Sequence, residues 1–368
     1  MAAPYDICIR GAGIVGRTLA LLLARDRLRV GLVETPDPAA AADVRAYALN
    51  TSSHALLSQL RAWPDDTTDA VTPVLRMDVH GDAGARVRFD AHEQGSGTLA
   101  WIVGATALQD RLREAVRYQP GIEVLTAPAD AALTVICEGK ASATRAELGV
   151  HYEITRYSQH AIAARLTCER PHDQTARQWF SQGEVLALLP LDGPQGRAAA
   201  LVWSVPQERA GALLALTAQE FEERLTQASH HALGRLTLAS ERSGWPLQLA
   251  KASRWCGPGW ALAGDAAHTV HPLAGQGLNL GLADVRELAR VLHERDYWRS
   301  LGDARLLRRY ERARKAQIAP IQLATDGLQQ LFAHDAPVLS WLRQWGLRGF
   351  DRLTPLKQWA ARQAAGPV

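Results

Sequence analysis

Little in this chain marks a disulfide scaffold, a metal protein or a membrane span. Only four cysteines, Cys8, Cys137, Cys168 and Cys256, occur in 368 residues, scattered and without a Cys-x-x-Cys pair. That usage excludes a disulfide framework and reads as reduced thiols of a cytoplasmic protein. No metal is expected: His268 and His271 have no matching cysteine or acid cluster to join. No apolar run approaches the roughly 20 residues of a membrane helix. Met1-Ala2-Ala3-Pro4 leads straight into a strand, so no signal peptide is expected. A net charge of +3 is too small to argue for nucleic acid. Internal repeats, low-complexity linkers and a catalytic triad are also lacking. With 47% hydrophobic and 21% charged residues, the chain is globular and long enough for two domains.

What is present is glycine, in two places far apart. Tyr5 to Arg10 reads as a short buried strand, followed by Gly11-Ala12-Gly13-Ile14-Val15-Gly16. In a dinucleotide fingerprint the first glycine makes the tight turn. The second lets the backbone approach a pyrophosphate, and the third lets the next helix pack on the strand. That helix is expected over residues 14–24, its first-turn N–H groups facing the phosphate. A second strand over residues 28–33 ends at Glu34, 23 residues after Gly11, close to the spacing of a ribose-binding acid. Arg10 stands where a small or apolar residue is common.

The second place is late. Trp260-Ala261-Leu262-Ala263 is a short apolar strand closed by Gly264-Asp265. A carboxylate there sits at a strand's C-terminal end, where ligands of open α/β sheets bind. Then Ala274-Gly275-Gln276-Gly277 allows close approach to a flat ligand and opens a helix over residues 277–292. The positive end of that helix suits the charge of a reduced flavin ring. Neither motif is decisive alone. Together, in this order, they point to FAD rather than to a simple NAD dehydrogenase.

Here a resemblance becomes firm. His271-Pro272-Leu273-Ala274-Gly275-Gln276-Gly277-Leu278-Asn279-Leu280-Gly281, with Asp284, resembles the signature of the ubiquinone-biosynthesis hydroxylases. These are class A flavoprotein monooxygenases related to para-hydroxybenzoate hydroxylase, and the likeness runs over nearly the whole chain. It implies a glutathione-reductase-type, Rossmann-like FAD domain of the α/β class, an inserted antiparallel β-sheet substrate domain and a helical C-terminus. It implies Arg45 on the FAD pyrophosphate and Gln109 near the ribityl and ribose. Gly264, Asp265, Leu278 and Asn279 join Gly11, Gly13, Gly16 and Glu34 in holding the cofactor. Pro272, Gly275, Gln276 and Gly277 form the loop along the flavin ring. The chemistry implied is reduction of FAD by NAD(P)H as a transient co-substrate, addition of O2 to give a flavin C4a-hydroperoxide, and hydroxylation of a phenol ring. The implied substrate is a polyprenylated phenol or quinol.

One departure from the family falls in its middle motif, an Asp-Gly followed by Ser and Arg. The matching run is Cys137-Glu138-Gly139-Lys140-Ala141-Ser142-Ala143-Thr144-Arg145, with Glu138 for the usual aspartate.

The expected FAD domain is residues 1–73, 104–150 and 256–325, and the substrate domain residues 74–103 and 151–255. Alternating patterns at residues 74–79, 86–90, 159–168, 184–191 and 198–205 predict a single antiparallel sheet, flanked by a helix over residues 218–233. Residues 326–368 make a helical C-terminal segment. There Arg343, Arg348, Arg352, Lys357 and Arg362 alternate with Trp341, Trp345, Phe350 and Trp359. Such a mixture suits a lipid interface or packing on the FAD domain. Docking on the inner face of a membrane, or on a quinone-biosynthesis complex, is one expectation; a solvated, core-packed segment is the other. Three rival functions share the fold: a hydroxylase of a small aromatic acid, a flavin halogenase, and a non-catalytic scaffold flavoprotein. The halogenase would carry Trp-x-Trp-x-x-Pro, which this sequence does not.

Overall fold

The computed structural model describes residues 4–35, 43–65, 69–81, 84, 86–269 and 276–333. The chain opens as a β-α-β unit of β1 (Tyr5–Arg10), α1 (Ile14–Arg25) and β2 (Val30–Val33). It continues through β3 (Ala46–Leu49), α2 (Thr51–Gln59), β4 (Val71–Val74), β5 (Arg76–His80), β6 (Arg86–Asp90) and β7 (Ala100–Gly104). Next come α3 (Ala105–Arg117), β8 (Ile122–Leu125), β9 (Ala131–Ile136) and α4 (Ala143–Glu147). A run of longer strands follows: β10 (Tyr152–Cys168), β11 (Thr175–Ser181), β12 (Glu184–Leu191) and β13 (Ala198–Pro206). Two helices, α5 (Gln207–Ala215) and α6 (Ala218–Ala228), lead to β14 (Leu236–Leu238) and β15 (Ser243–Ala252). The late part holds β16 (Cys256–Gly257), β17 (Trp260–Leu262), a 3-10 turn (Gly264–Ala266), β18 (His268–Thr269), α7 (Gln276–His293) and α8 (Ala304–Ala333).

Two large sheets result. The first has the order β16-β17-β9-β1-β2-β8 and is parallel except at its β16 edge. Its central strand β1 is apolar because it is covered on both faces: Ile7, Cys8 and Ile9 are fully buried. Helix α1 packs between α3 and α7. The pattern of α3 shows why it lies flat on this layer. Leu108, Leu112 and Val116 recur at four-residue steps and are buried, while Asp110, Arg113 and Arg117 face solvent. A small antiparallel sheet, β3-β7-β4, stands beside this layer.

The second large sheet runs β18-β15-β10-β13-β12-β11-β5-β6, with β14 added on β10. Its core face is covered by α5 and α6. Trp203 meets Phe221 at 6.0 Å between ring centres, over a bed of Ile162, Leu166, Leu201 and Leu225. Helix α6 starts where the sequence is built for it: Thr217 and Glu220 close a reciprocal capping box. The expectation of a single antiparallel sheet needs one correction. Strand β5 runs parallel to β11, with Arg76 opposite Thr175 and His80 opposite Trp179. Between the β5–β6 hairpin and β11 the chain makes a long excursion through the other layer. A connection of that length imposes no antiparallel turn.

Late in the chain the two large sheets are joined through a short strand. Strand β18, only a few residues after the Gly264 turn, pairs with β15 of the second sheet through Thr269–Ala250 and His268–Lys251. The chain therefore crosses between layers at the place where the two glycine motifs meet.

Candidate flavin site

The first glycine motif has the geometry its spacing predicts. Gly11 has φ +105, and a Cβ there would press on the Cys137 carbonyl. A Cβ at Gly16 would collide with the Gly11 carbonyl, so α1 can sit this close to the turn only with glycine. Gly13 differs: a Cβ on it would meet nothing within 4 Å. The open space lies over the start of α1, which has no side-chain cap and no acid in its first turn. Its free N–H groups are an anion site by construction. Glu34, at the end of β2, is held by a residue the sequence reading passed over. Arg17, on the second turn of α1, is 4% exposed and bonds Glu34 Oε1 at 2.5 Å. Oε2 has no partner among the described residues.

The second motif depends on distant partners. Gly264 turns at φ +63 and donates its N–H to Asp284 Oδ2 at 2.9 Å. Val15 of α1 lies against both Gly264 and Gly281, so α1 and α7 close on the turn from two sides. The Asp265 carbonyl accepts from Tyr152 Oη at 2.8 Å, but its carboxylate accepts no hydrogen bond from a described residue. Burial raises the Asp265 carboxyl above its ordinary range, and Lys140, His268 and Arg45 oppose that rise. A desolvated carboxylate without donors fits the hydroxyls of a ribityl chain.

Arg145, the arginine of the middle motif, is buried. It donates to the carbonyls of Ala266 at 3.1 Å and Lys140 at 2.8 Å, with its guanidinium carbon 3.6 Å from the Tyr152 ring centre. It ties the 138–145 segment to the Gly264 turn. Glu138 is fully spent inside the chain. It accepts from Ser142 Oγ at 2.7 Å, from the Thr144 N–H at 3.1 Å and from Thr144 Oγ1 at 2.6 Å, and it pairs with Arg10 Nε at 3.1 Å. The two oddities of the sequence, Arg10 and Glu138, are thus one pair. Burial pushes the Glu138 carboxyl up, yet the hydrogen bonds from Thr144 and Ser142, with Arg10, hold it below the ordinary range.

The remaining expected site residues fall in different places. Arg45 is half-exposed beside the turn and is held by Asp43 at 2.7 and 2.8 Å. Gln109 is half-buried on α3. Pro272 and Gly275 lie outside the described residues. Gln276 opens α7, and Gly277 has open space where a Cβ would be. Leu278 packs against the main core. Asn279 is buried and entirely engaged: it accepts from the Asn50 N–H at 3.0 Å and Ser53 Oγ at 2.8 Å, and donates to the Ala48 carbonyl at 2.8 Å. It pins α7 to the β3–α2 corner. Among the described residues no cluster of three His, Cys, Asp or Glu could hold a metal.

These residues fit FAD: an uncapped helix start with space over Gly13, an acid with one oxygen unpartnered among the described residues, and a half-buried carboxylate that no described residue donates to. The comparisons agree. A family described as FAD binding domain matches residues 126–322. The chain is 31% identical to 3-demethoxyubiquinol 3-hydroxylase of Escherichia coli over 99% of both chains. It is 29% identical to ubiquinone hydroxylase UbiL of Rhodospirillum rubrum, over 99% of this chain and 90% of that one. Among solved structures, p-nitrophenol 4-monooxygenase PnpA from Pseudomonas putida superposes with a TM-score of 0.76 at 14% identity, covering all of both chains. HpxO of Klebsiella pneumoniae, complexed with FAD and uric acid, gives 0.73 at 18% identity over 98% of this chain and 97% of that one. The structural likenesses show the fold; the sequence likeness carries the family. By the family match and the sequence likeness this chain belongs to the ubiquinone-biosynthesis hydroxylases, FAD-dependent monooxygenases that use NAD(P)H to hydroxylate an aromatic ring.

Proposed function

We propose that the ring hydroxylated is that of a prenylated phenol or quinol on the route to ubiquinone. One observation carries the reading: the match to 3-demethoxyubiquinol 3-hydroxylase spans 99% of both chains, so it includes the strands of the second sheet as well as the nucleotide motifs.

Bound FAD, reduced by NAD(P)H, supplies the oxygen-activating chemistry. The protein's part is to bind, orient and shield. The start of α1 receives the diphosphate, with Arg45 as a counter-cation. Glu34, fixed by Arg17, takes the ribose hydroxyls, and Asp265 takes the ribityl chain. Gln109 borders that chain from α3. Gln276, Gly277 and Leu278 would border the ring, with Pro272 and Gly275 outside the described residues, and the N-terminus of α7 would offer its positive end to charge that develops there. Residues 1–73, 104–150 and 256–325 make the FAD domain, and residues 74–103 and 151–255 cover the substrate.

A prenyl tail is dissolved in lipid, so the enzyme visits a membrane surface or a complex at its inner face. No helix among the described residues is long and apolar enough to cross a membrane. The visiting element in this reading is the basic, tryptophan-bearing segment over residues 341–368, outside the described residues. Deleting the residues after Thr354 removes liposome co-sedimentation and spares FAD binding if so. Unchanged lipid association would contradict it.

The substrate reading is tested in a strain lacking this gene. Quinone intermediates short of one hydroxyl should accumulate and disappear on complementation. In vitro, NAD(P)H oxidation should track product carrying one added oxygen. Turnover of small aromatic acids alone would point to the first rival, and absence of any turnover by FAD-loaded protein to the scaffold.

A further inference from the structure

Behind the Gly264 turn lies a sealed cluster of charge that no step above uses. Asp284, fully buried on α7, accepts three hydrogen bonds: from the Gly264 N–H at 2.9 Å, from His268 Nε2 at 2.7 Å, and from Arg314 Nε of α8 at 2.7 Å. Arg314 and His268 are each 2% exposed. Arg314 spends its other nitrogens on the Leu280 carbonyl at 3.1 Å and on Gln317. The His268 ring stacks on Trp255 at 4.8 Å between centres, and its Nδ1 has no hydrogen-bond partner among the described residues. Burying an aspartate and an arginine is costly, and well-packed apolar side chains would serve plain stability as well or better. A cluster of this kind is a device for fixing position.

The positions it fixes flank residues 270–275, which lie outside the described residues. Gly264 and His268 stand before residues 270–275, and Leu280 and Asp284 stand after them. Gly281 lets α7 come within a van der Waals contact of Gly264: a Cβ there would lie 3.4 Å from the Gly264 Cα and 2.9 Å from Val15. One carboxylate thus sets where the start of α7 stands relative to Asp265.

We propose that His268, Asp284 and Arg314 are positioning residues that aim the N-terminus of α7 at the flavin ring and so help to set how readily the ring is reduced. The inference rests on the flavin-site reading and not on the identity of the substrate. The helix end stabilises negative charge on the reduced ring, and that stabilisation falls off within the first turn. A small shift of α7 therefore weakens reduction before it weakens binding.

The test needs only FAD-loaded protein and an anaerobic reductive titration against a reference dye, with no substrate present. Replacing His268 leaves the Asp284–Arg314 pair intact, so the protein should fold. His268→Phe keeps the stack on Trp255 and loses the donor to Asp284; His268→Gln restores a donor. The expected result is FAD retained in both, with the reduction equilibrium about fivefold less favourable in His268→Phe and at least partly recovered in His268→Gln. The visible flavin spectrum should shift with it. If His268→Phe does not fold, Arg314→Lys, which keeps the charge but gives up the Leu280 contact, provides the same readout. A wild-type reduction equilibrium and spectrum in a folded, FAD-loaded variant would overturn the proposal. So would loss of FAD from both His268 variants with the fold intact, because the cluster would then hold the cofactor rather than aim the helix. Neither result bears on which quinol is hydroxylated.

Discussion

Asp265 and Asp284 both stand at the Gly264 turn, one beside it in sequence and one reaching it from α7, and they are opposites. Asp284 is surrounded by donors from a glycine, a histidine and an arginine. Burial raises its carboxyl, but His268 and Arg314 more than reverse the effect, and it ends below the ordinary range. Asp265 is less deeply buried but accepts from no described donor, and burial leaves it above the range. In the proposed reading, the difference separates a carboxylate used for architecture from one that would take the ribityl chain. A group that destabilises the empty protein while awaiting a partner is the more informative sign of function.

The comparison has a pH signature. The folded pKa of Asp284 lies below its unfolded value of about 3.9. Its stabilisation is complete above that value and is lost as pH falls through the folded pKa. For Asp265 the folded pKa lies above the unfolded one. Its penalty is complete above the folded pKa and disappears as pH falls below the unfolded value.

The largest effect should come from Asp284→Ala. It leaves Arg314 charged and buried without its partner, a loss of about 3–5 kcal/mol, measurable by denaturant unfolding of the FAD-free protein. Gly16→Ala comes next, because its methyl group meets a backbone carbonyl rather than a movable side chain; about 3 kcal/mol or non-folding is expected. Gly13→Ala, with open space around it, should leave the fold alone, while a bulky residue there should block FAD. Asp265→Ala should weaken FAD binding by about 10- to 100-fold, the loss of hydrogen bonds to a charged group. The same change should leave the FAD-free protein as stable as before or slightly more so at neutral pH. If the Asp265 and Asp284 variants behave alike, the contrast between the two carboxylates fails. Asn279→Ala should cost about 1–3 kcal/mol by stranding the Asn50 N–H and the Ala48 carbonyl, with turnover falling as α7 loosens. Arg10→Ala should be smallest, at about 1 kcal/mol or less for a partly solvated pair.

How much of this was legible follows the same divide. The strand, turn, helix and Glu34 of the first motif are neighbours in sequence, and each glycine's role can be read from its spacing. Arg17 escaped notice because an arginine in an apolar helix reads as a solvated residue until Glu34 is seen opposite it. The partners of the second motif are far away in the chain: Gly264 finds Asp284 and Arg314, Asn279 finds Asn50 and Ser53, and Arg145 finds Ala266. No periodicity encodes such pairings. The parallel edge of β5 on β11 was hidden for the same reason, since the alternation of a strand does not say which way its neighbour runs.

The account stands most directly on one measurement: NAD(P)H oxidation by the purified, FAD-loaded protein, with and without a prenylated quinol lacking one ring hydroxyl, with products read by mass spectrometry. The account predicts a yellow protein whose NAD(P)H oxidation rises with the quinol and yields product carrying one added oxygen. A protein that cannot be loaded with FAD, or one that oxidises NAD(P)H without ever transferring oxygen to a ring, would contradict it.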